Sequence, residues 1–151
     1  MKITKRELFG LGGGAVAALV IGLPATQAFA DAAEVDKRIK AFAGDAKIEA
    51  GTVSLTTPEI AENGNTVPIS VSVESPMTKT DYVKSVLLLA AGNPRPGVAT
   101  FHFSPMSGDA SATTRIRLAK TQEVIALAKT STGKVYMEKK TVKVTIGGCG
   151  G

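Results

Sequence analysis

Residues 66–74, TVPISVSVE, decide the fold class of this chain. Successive side chains of a β-strand point to opposite faces, so a strand with one buried face shows apolar residues at every second position. This segment has four of them: Val67, Ile69, Val71 and Val73. Pro68 has no N–H to give to a ladder, so we expect this strand to start at a sheet edge or with that nitrogen facing solvent.

Six other segments carry strand patterns and are bounded by glycine, proline, asparagine or aspartate. They are TVSLTT (52–57), YVKSVLLLAA (82–91), VATFHFS (98–104), ATTRIRLA (112–119), EVIALAKT (123–130) and KVYMEKKTVKVTI (134–146). No helical pattern separates them, which is typical of antiparallel sandwiches. Residues 31–146 are therefore predicted to form an all-β, immunoglobulin-like antiparallel sandwich of about seven strands. With one cysteine and no tryptophan, the prediction depends on pattern alone.

A short N-terminal helix is predicted over Asp31–Gly44. Val35, Ile39 and Phe42 have the spacing of one helical face, and Gly44 provides a stop. The other face of this helix is charged.

Residues 1–30 have the three parts of an export signal in order. The basic segment TKRELFG is followed by an apolar run from Leu11 to Leu23 and by Ala28-Phe29-Ala30. The apolar run is shorter than the roughly 20 residues that span a bilayer. We therefore expect cleavage after Ala30 and a periplasmic mature protein without a membrane anchor.

The export route is suggested by Lys5-Arg6, with Leu8 and Phe9 behind them. This segment resembles a twin-arginine signal with lysine in place of the first arginine, so the twin-arginine and the general secretory routes both remain open. A lipoprotein signal would need cysteine directly after the cleavage point, where the chain has Asp31.

The charge of the chain does not suggest a nucleic-acid partner. Removing residues 1–30 takes three basic residues and one acidic residue from a net charge of +5, leaving +3. The remaining lysines and arginines are scattered, and they are not interleaved with the aromatic residues expected of a nucleic-acid groove.

The chain ends in GGCGG, residues 147–151, and this segment holds its one cysteine. Four glycines in five residues leave nothing to join a sheet, so Gly147, Gly148, Gly150 and Gly151 are predicted to form a flexible arm that carries Cys149. A lone cysteine in an exported protein suggests intermolecular pairing or a reactive thiol. Glycines also allow the arm to enter a narrow channel in another protein.

The rest of the sequence contains no catalytic or metal-binding constellation. His102 is a lone histidine between two phenylalanines and is expected to have a structural or surface role, and the carboxylates are dispersed. Met77, Met106 and Met137 are interpreted as core or rim packing and not as copper ligands. We therefore predict no catalytic residue, no metal site and no cofactor.

An exported β-sandwich that ends in GGCGG resembles the SoxY family, the sulfur-carrier subunits of thiosulfate oxidation. Four blocks carry the resemblance over essentially the whole mature chain: ENGNTVPISVSVESPMT (62–78), DYVKSVLLLAAGNPRPGVATFHFSP (81–105), TRIRLAKTQEVIALAK (114–129) and GKVYMEKKTVKVTIGGCGG (133–151).

The resemblance implies a non-enzymatic carrier that holds sulfur intermediates covalently on Cys149. It also implies a heterodimer with the small β-sandwich subunit SoxZ. Transient partners would be a c-type cytochrome pair that loads thiosulfate, a dimanganese hydrolase that releases sulfate, and a sulfane dehydrogenase.

Two alternatives remain open from the sequence. An exported structural sandwich could use Cys149 only to form a disulfide-linked dimer. A ubiquitin-like sulfur carrier would instead use the carboxylate of Gly151 as a thiocarboxylate, which requires activation by ATP in the cytoplasm and is disfavoured by the export signal.

Overall fold

The computed structural model describes residues 26–147 of the chain, with side chains from residue 32 onward. One helix precedes nine strands in this part of the chain, and a single 3-10 turn at Pro105–Ser107 lies between the sixth and seventh strands. The elements are α1 Thr26–Ala43, β1 Ile48–Glu49, β2 Val53–Thr56, β3 Ile60–Asn63, β4 Val67–Val73, β5 Val83–Ala90, β6 Gly97–His102, β7 Ala110–Ile116, β8 Gln122–Thr130 and β9 Val135–Ile146.

The strands form two facing sheets. The smaller sheet has the order β2-β4-β7, and the larger has the order β1-β9-β8-β5-β6, with β3 also paired to β9. The pairs along β2-β4-β7 and β9-β8-β5-β6 are antiparallel. This arrangement is the predicted immunoglobulin-like sandwich.

The main core lies between the sheets and is built from the alternating residues that the sequence suggested. In β4, Val67, Ile69, Val71 and Val73 are all buried. They pack with inward-facing residues of the larger sheet, among them Val86, Leu88, Val124, Ala126 and Val142. Burial of this apolar surface is the main force that holds the two sheets together.

A second core lies on the outer face of the larger sheet, under α1. Val35 and Ala43 of the helix pack with Leu89, Ile125 and Leu127 of the sheet. Strand β8 is therefore covered on both faces, which explains why EVIALAKT is apolar almost throughout and does not alternate.

The helix is longer than predicted at its start and ends where predicted. It begins at Thr26, before the proposed cleavage point, because no glycine or proline interrupts residues 25–30. It ends at Ala43. Gly44 follows with φ of 64° and donates its N–H to the carbonyl oxygen of Lys40 at 2.8 Å, an arrangement typical of helix C-termini.

The strand count of about seven was too low, because β1 and β3 had been missed. They have two and four residues, and both pair with β9 in parallel on the edge of β9 that faces away from β8. The sandwich is therefore not wholly antiparallel. Neither segment is long enough to show an alternating pattern, and Ile60 of β3 is exposed.

Pro68 lies in β4, the central strand of the smaller sheet. Of the two placements expected for it, the one at a sheet edge is therefore wrong. β4 lies between β2 and β7, but β2 ends at Thr56, opposite Ser70. Pro68 therefore has a paired neighbour only on the β7 side, where it lies opposite Arg115. The missing N–H is tolerated because the ladder on the other side has already ended.

One flank of the sandwich is closed by a side chain that links the two sheets. Glu138 of β9 accepts a hydrogen bond from the backbone N–H of Leu55 in β2, on the side of that strand without a β-partner. Lys140 lies 3.9 Å from the same carboxylate and adds little because the pair is partly exposed. Glu138 thus satisfies an N–H that the edge of the smaller sheet would otherwise leave unpaired.

We expect Glu138→Leu to lower the free energy of unfolding by about 1–3 kcal/mol, because it leaves the partly buried N–H of Leu55 without an acceptor. Glu138→Gln is the matched control, since its amide oxygen can still accept this bond, and it should cost less. Urea unfolding measures both variants. Equal stability of Glu138→Leu and the unchanged chain would show that this link contributes nothing.

Candidate functional site: the root of the C-terminal arm

Of the five predicted arm residues, the structure describes Gly147. Cys149, Gly148, Gly150 and Gly151 lie outside the described residues. The described part of the arm is its root, where β9 ends and the chain passes Gly147. Two segments of the chain contact this point, residues 62–65 and 117–121, and residues 91–93 hold the second of them in place.

Gly147 is the residue of the root with the least space. A Cβ atom at this position would lie 2.3 Å from the carbonyl oxygen of Ala119 and 3.3 Å from its carbonyl carbon. Both contacts are with backbone atoms, so no side-chain movement could relieve them. Glycine at 147 is required by this close approach of two chain segments, in addition to any freedom it gives to the arm.

The last residues of β9 are held on the β3 side by backbone groups of neighbouring segments. The N–H of Gly64 donates to the carbonyl oxygen of Ile146 at 2.8 Å, and the carbonyl oxygen of Gly64 accepts from the N–H of Leu118 at 2.8 Å. The Thr145 hydroxyl donates to the carbonyl oxygen of Glu62 at 2.8 Å. Gly64 therefore joins the end of β9 directly to the segment that contains Ala119.

Thr121 holds β9 from the other side. Its Oγ1 accepts a hydrogen bond from the N–H of Val144 at 2.9 Å. Ile146 itself is 69% exposed, so apolar burial does not hold this last strand residue in place. The position of the chain at Gly147 is set by hydrogen bonds and by the contact with Ala119.

The segment that carries Ala119 is fixed by two amide side chains. Asn93 donates from Nδ2 to the carbonyl oxygen of Arg117 at 2.7 Å and accepts at Oδ1 from the N–H of Ala119 at 2.9 Å. Gln122 donates from Nε2 to Asn93 Oδ1 at 2.9 Å and to the carbonyl oxygen of Lys120 at 3.0 Å. Its Oε1 accepts from the N–H of Gly92 at 2.7 Å.

Gln122 is only 7% exposed, and every buried side-chain nitrogen and oxygen atom in residues 32–147 has a hydrogen-bond partner. A fully bonded buried amide network is rigid because each lost bond would leave a desolvated polar atom. The network therefore restrains the segment that carries Ala119, whose carbonyl oxygen lies against Gly147.

Sequence reasoning missed Asn93, Gln122 and Gly64. Gln122 could have been noticed as a polar residue at the start of an apolar strand. Two of its partners, Asn93 and Gly92, are 29 and 30 residues away in the chain, and a separation of that kind leaves no local pattern.

A cleft of about 280 Å³ lies between α1 and the larger sheet near this root. Its apolar lining includes Val35 and Ile39, and its charged lining consists of Asp36, Lys120, Glu123 and Lys139. The two carboxylates balance the two ammonium groups, so the cleft is not a dedicated anion site.

The other residues singled out from the sequence lie away from the root. His102 is exposed at the end of β6, opposite Ser85 of β5. Met77 is buried in the main core and Met137 packs against the outer core, as predicted. Met106 is 97% exposed, so its interpretation as a packing residue was wrong; the 3-10 turn at Pro105–Ser107 directs it away from both cores.

Within residues 26–147 no group of three histidine, cysteine, aspartate or glutamate residues could hold a metal ion. No helix of that same part of the chain is long and apolar enough to cross a membrane.

Comparison with protein families gives one match that covers most of the chain. The family model described as Sulfur oxidation protein SoxY matches residues 39–149. The chain belongs to the SoxY family. The matched region begins within α1 and includes all nine strands and the root. No match to a curated protein is found.

Solved structures agree with this family and with the fold. The sulfur carrier protein SoxY from Chlorobium limicola f thiosulfatophilum is 30% identical to this SoxY-family chain, with a TM-score of 0.63 over 76% of this chain and 99% of that one. A superoxide reductase (neelaredoxin) from Ignicoccus hospitalis is 19% identical, with a TM-score of 0.56 over 62% of this chain and 80% of that one. A putative superoxide reductase from Thermotoga maritima is 18% identical, with a TM-score of 0.54 over 66% and 93% of the two chains. At such low identity the reductases share only the sandwich fold.

Proposed function

We propose that this protein is a periplasmic sulfur carrier of thiosulfate oxidation that holds its intermediates covalently on Cys149. The observation that carries the proposal is the family match through residue 149, combined with a root that fixes the chain at Gly147, two residues before the thiol. The likeness to a sulfur carrier of known structure supports the same role.

The chemistry of the carrier follows from the properties of a thiol. The Cys149 thiolate and the terminal sulfur of thiosulfate form an S–S bond, and two electrons pass to a c-type cytochrome pair. Hydrolysis by a dimanganese enzyme then releases sulfate and leaves a persulfide, which a sulfane dehydrogenase can oxidise. Cys149 is the residue in this chain that can form S–S bonds, and the thiolate is its reactive form.

The geometry of the root suggests how such a carrier works. From Gly147 to Gly151 the chain spans at most about 17 Å when extended, at about 3.3–3.6 Å per residue. Because the root is rigid, each enzyme would find the start of the arm at the same place relative to the surface on which it docks. The four glycines present a narrow chain to the channel of an enzyme. The carrier itself performs no catalysis, needs no cofactor, and associates with a SoxZ-type subunit.

Export is part of the proposal because the partner enzymes act in the periplasm. The basic, apolar and Ala-x-Ala segments of residues 1–30 support cleavage after Ala30. The mature helix would then start at Asp31 and keep Val35, Ile39 and Phe42, the side chains that pack on the sheet.

Intact-mass spectrometry of the protein purified from thiosulfate-grown cells tests this function. We expect a chain that begins at Asp31 and carries sulfur adducts, and we expect a reducing agent to remove them. Cells grown without thiosulfate are the control. A thiol free of adducts under thiosulfate, or a simple disulfide-linked dimer, would contradict the carrier function and favour a structural sandwich.

A further inference from the structure

The two flanks of the sandwich differ in whether their edge strands are covered by other parts of the chain. On one flank, β2 contacts β9 and β8, Glu138 caps the Leu55 N–H, and β1 and β3 cover β9. On the other flank, here called the open flank, β6 of the larger sheet and β7 of the smaller sheet are both edge strands. Among the described residues β6 pairs with β5 alone and β7 with β4 alone.

The free edge of β6 can be assigned residue by residue. Phe103 donates its N–H to the carbonyl oxygen of Lys84 at 3.0 Å, and the register pairs Phe101 with Val86 and Thr100 with Leu87. Hydrogen-bonded and non-bonded pairs alternate along an antiparallel ladder. The N–H groups of Phe101 and Phe103 therefore face β5, while those of Thr100 and His102 point out of the sheet.

This edge lacks the features that usually protect one. Edge strands are normally kept from pairing by lysine, glutamate, proline, a bulge or a very short length. β6 has six residues and none of these residue types, and its one irregularity lies at its start, beside Gly97. Thr100 and His102 are exposed, and half-buried Phe101 and Phe103 pack against the main core beside them.

Positive charge lies at the end of the open flank that is next to the arm root. Asn93 bonds the carbonyl oxygen of Arg117, which follows β7, and Arg95 lies two residues after Asn93 on the way to β6. Both arginines are exposed. A second copy of this chain would bring more arginines to the flank, whereas a partner with acidic residues would complement them.

We propose that the open flank binds the edge strand of a partner β-sandwich subunit, which extends the larger sheet through β6 and places acidic side chains opposite Arg95 and Arg117. This inference rests on the proposed function, from which the SoxZ-type subunit is the expected partner. It goes beyond that function because it assigns the partner to the open flank, formed by β6 and β7. Strand addition fits because its hydrogen bonds satisfy the outward groups of Thr100 and His102.

The bound partner would lie beside the arm. Arg117 and Ala119 are two residues apart on the same segment, and Ala119 contacts Gly147. A subunit seated against β6 and β7 would therefore form one wall around the start of the arm.

Thr100→Pro tests the surface, because it removes one outward N–H and leaves the bonds between β5 and β6 intact. Thr100→Val is the matched control, since it keeps the N–H. With the full chain and a SoxZ-type subunit of the same organism, we expect Thr100→Pro to raise the dissociation constant about 10- to 100-fold, as measured by isothermal titration calorimetry. Thr100→Val should bind like the unchanged chain.

Thermal unfolding of each variant shows whether the sandwich is retained, and Arg117→Glu provides a second test that does not depend on β6. It should weaken binding at low salt and lose that effect as salt rises. A folded Thr100→Pro chain that binds as tightly as Thr100→Val, or an unchanged chain that binds no such subunit, would overturn the proposal. If Thr100→Pro abolished self-association of this chain and left binding of the subunit unchanged, the open flank would be assigned to a second copy of the chain. Sulfur adducts on Cys149 are measured separately, so failure of this interface and failure of the carrier function can be distinguished.

Discussion

Cys149→Ser is expected to abolish sulfur loading completely while the sandwich and its partner binding remain unchanged. A serine hydroxyl has a pKa far above that of a thiol and cannot form the S–S bond that holds each intermediate. The mass of the variant after incubation with thiosulfate and the loading enzymes should equal the mass of the unmodified chain.

Thiosulfate-dependent reduction of the cytochrome pair gives a second readout for the same variant, and it should fall to the rate without carrier. Equal melting temperatures of the two chains are the control for folding. Sulfur adducts that persist on Cys149→Ser would place the attachment elsewhere and would defeat the proposed function.

Gly147→Ala should have the next largest effect, and it acts through geometry. The added methyl group would lie 2.3 Å from the carbonyl oxygen of Ala119, a residue whose N–H is bonded by Asn93 and whose neighbour Lys120 is bonded by Gln122. The start of the arm must therefore shift. A displacement of about 1 Å can lower an enzyme's rate about 10²-fold, so we expect turnover of the loaded carrier to fall by about that factor.

Modification of Cys149 by a small thiol reagent serves as the control for Gly147→Ala, because a reagent in solution does not require a fixed starting point. Its rate should stay the same. If carrier turnover with the partner enzymes is also unchanged, then the contact at Gly147 has no part in presenting the arm.

The fold could be predicted wherever one face of a segment is buried and the other is exposed. The alternation of Val67, Ile69, Val71 and Val73 identified β4, and the helical spacing of Val35, Ile39 and Phe42 identified α1. The pattern failed for β1 and β3, because two to four residues are too few to show a period. It also could not show that these strands run parallel to β9, since that follows from where the chain returns and not from local sequence.

The sequence suggested a chemistry for the candidate site but not the hydrogen bonds from which the site is built. Cys149 and the four glycines stand out in composition alone, and their role as a thiol-bearing arm stays a prediction for the Cys149→Ser experiment. The network of Asn93 and Gln122 could not be predicted, because amide side chains have no characteristic spacing when their partners are distant in the chain. Gly147 had been interpreted as a source of freedom, whereas the structure also gives it a steric reason to be glycine.

The position of β9 has a consequence for how the protein is made. β9 is the last of the nine described strands along the chain, yet it pairs with β8 on one edge and with β1 and β3 on the other. The larger sheet therefore cannot be completed before β9 has been made, since Ile48 pairs with Val135 and Asn63 with Ile146. A chain that stops before β9 leaves the edge of β8 exposed, which is a typical target for aggregation and proteolysis. A completed larger sheet therefore contains β9, whose last residue, Ile146, lies three residues before Cys149.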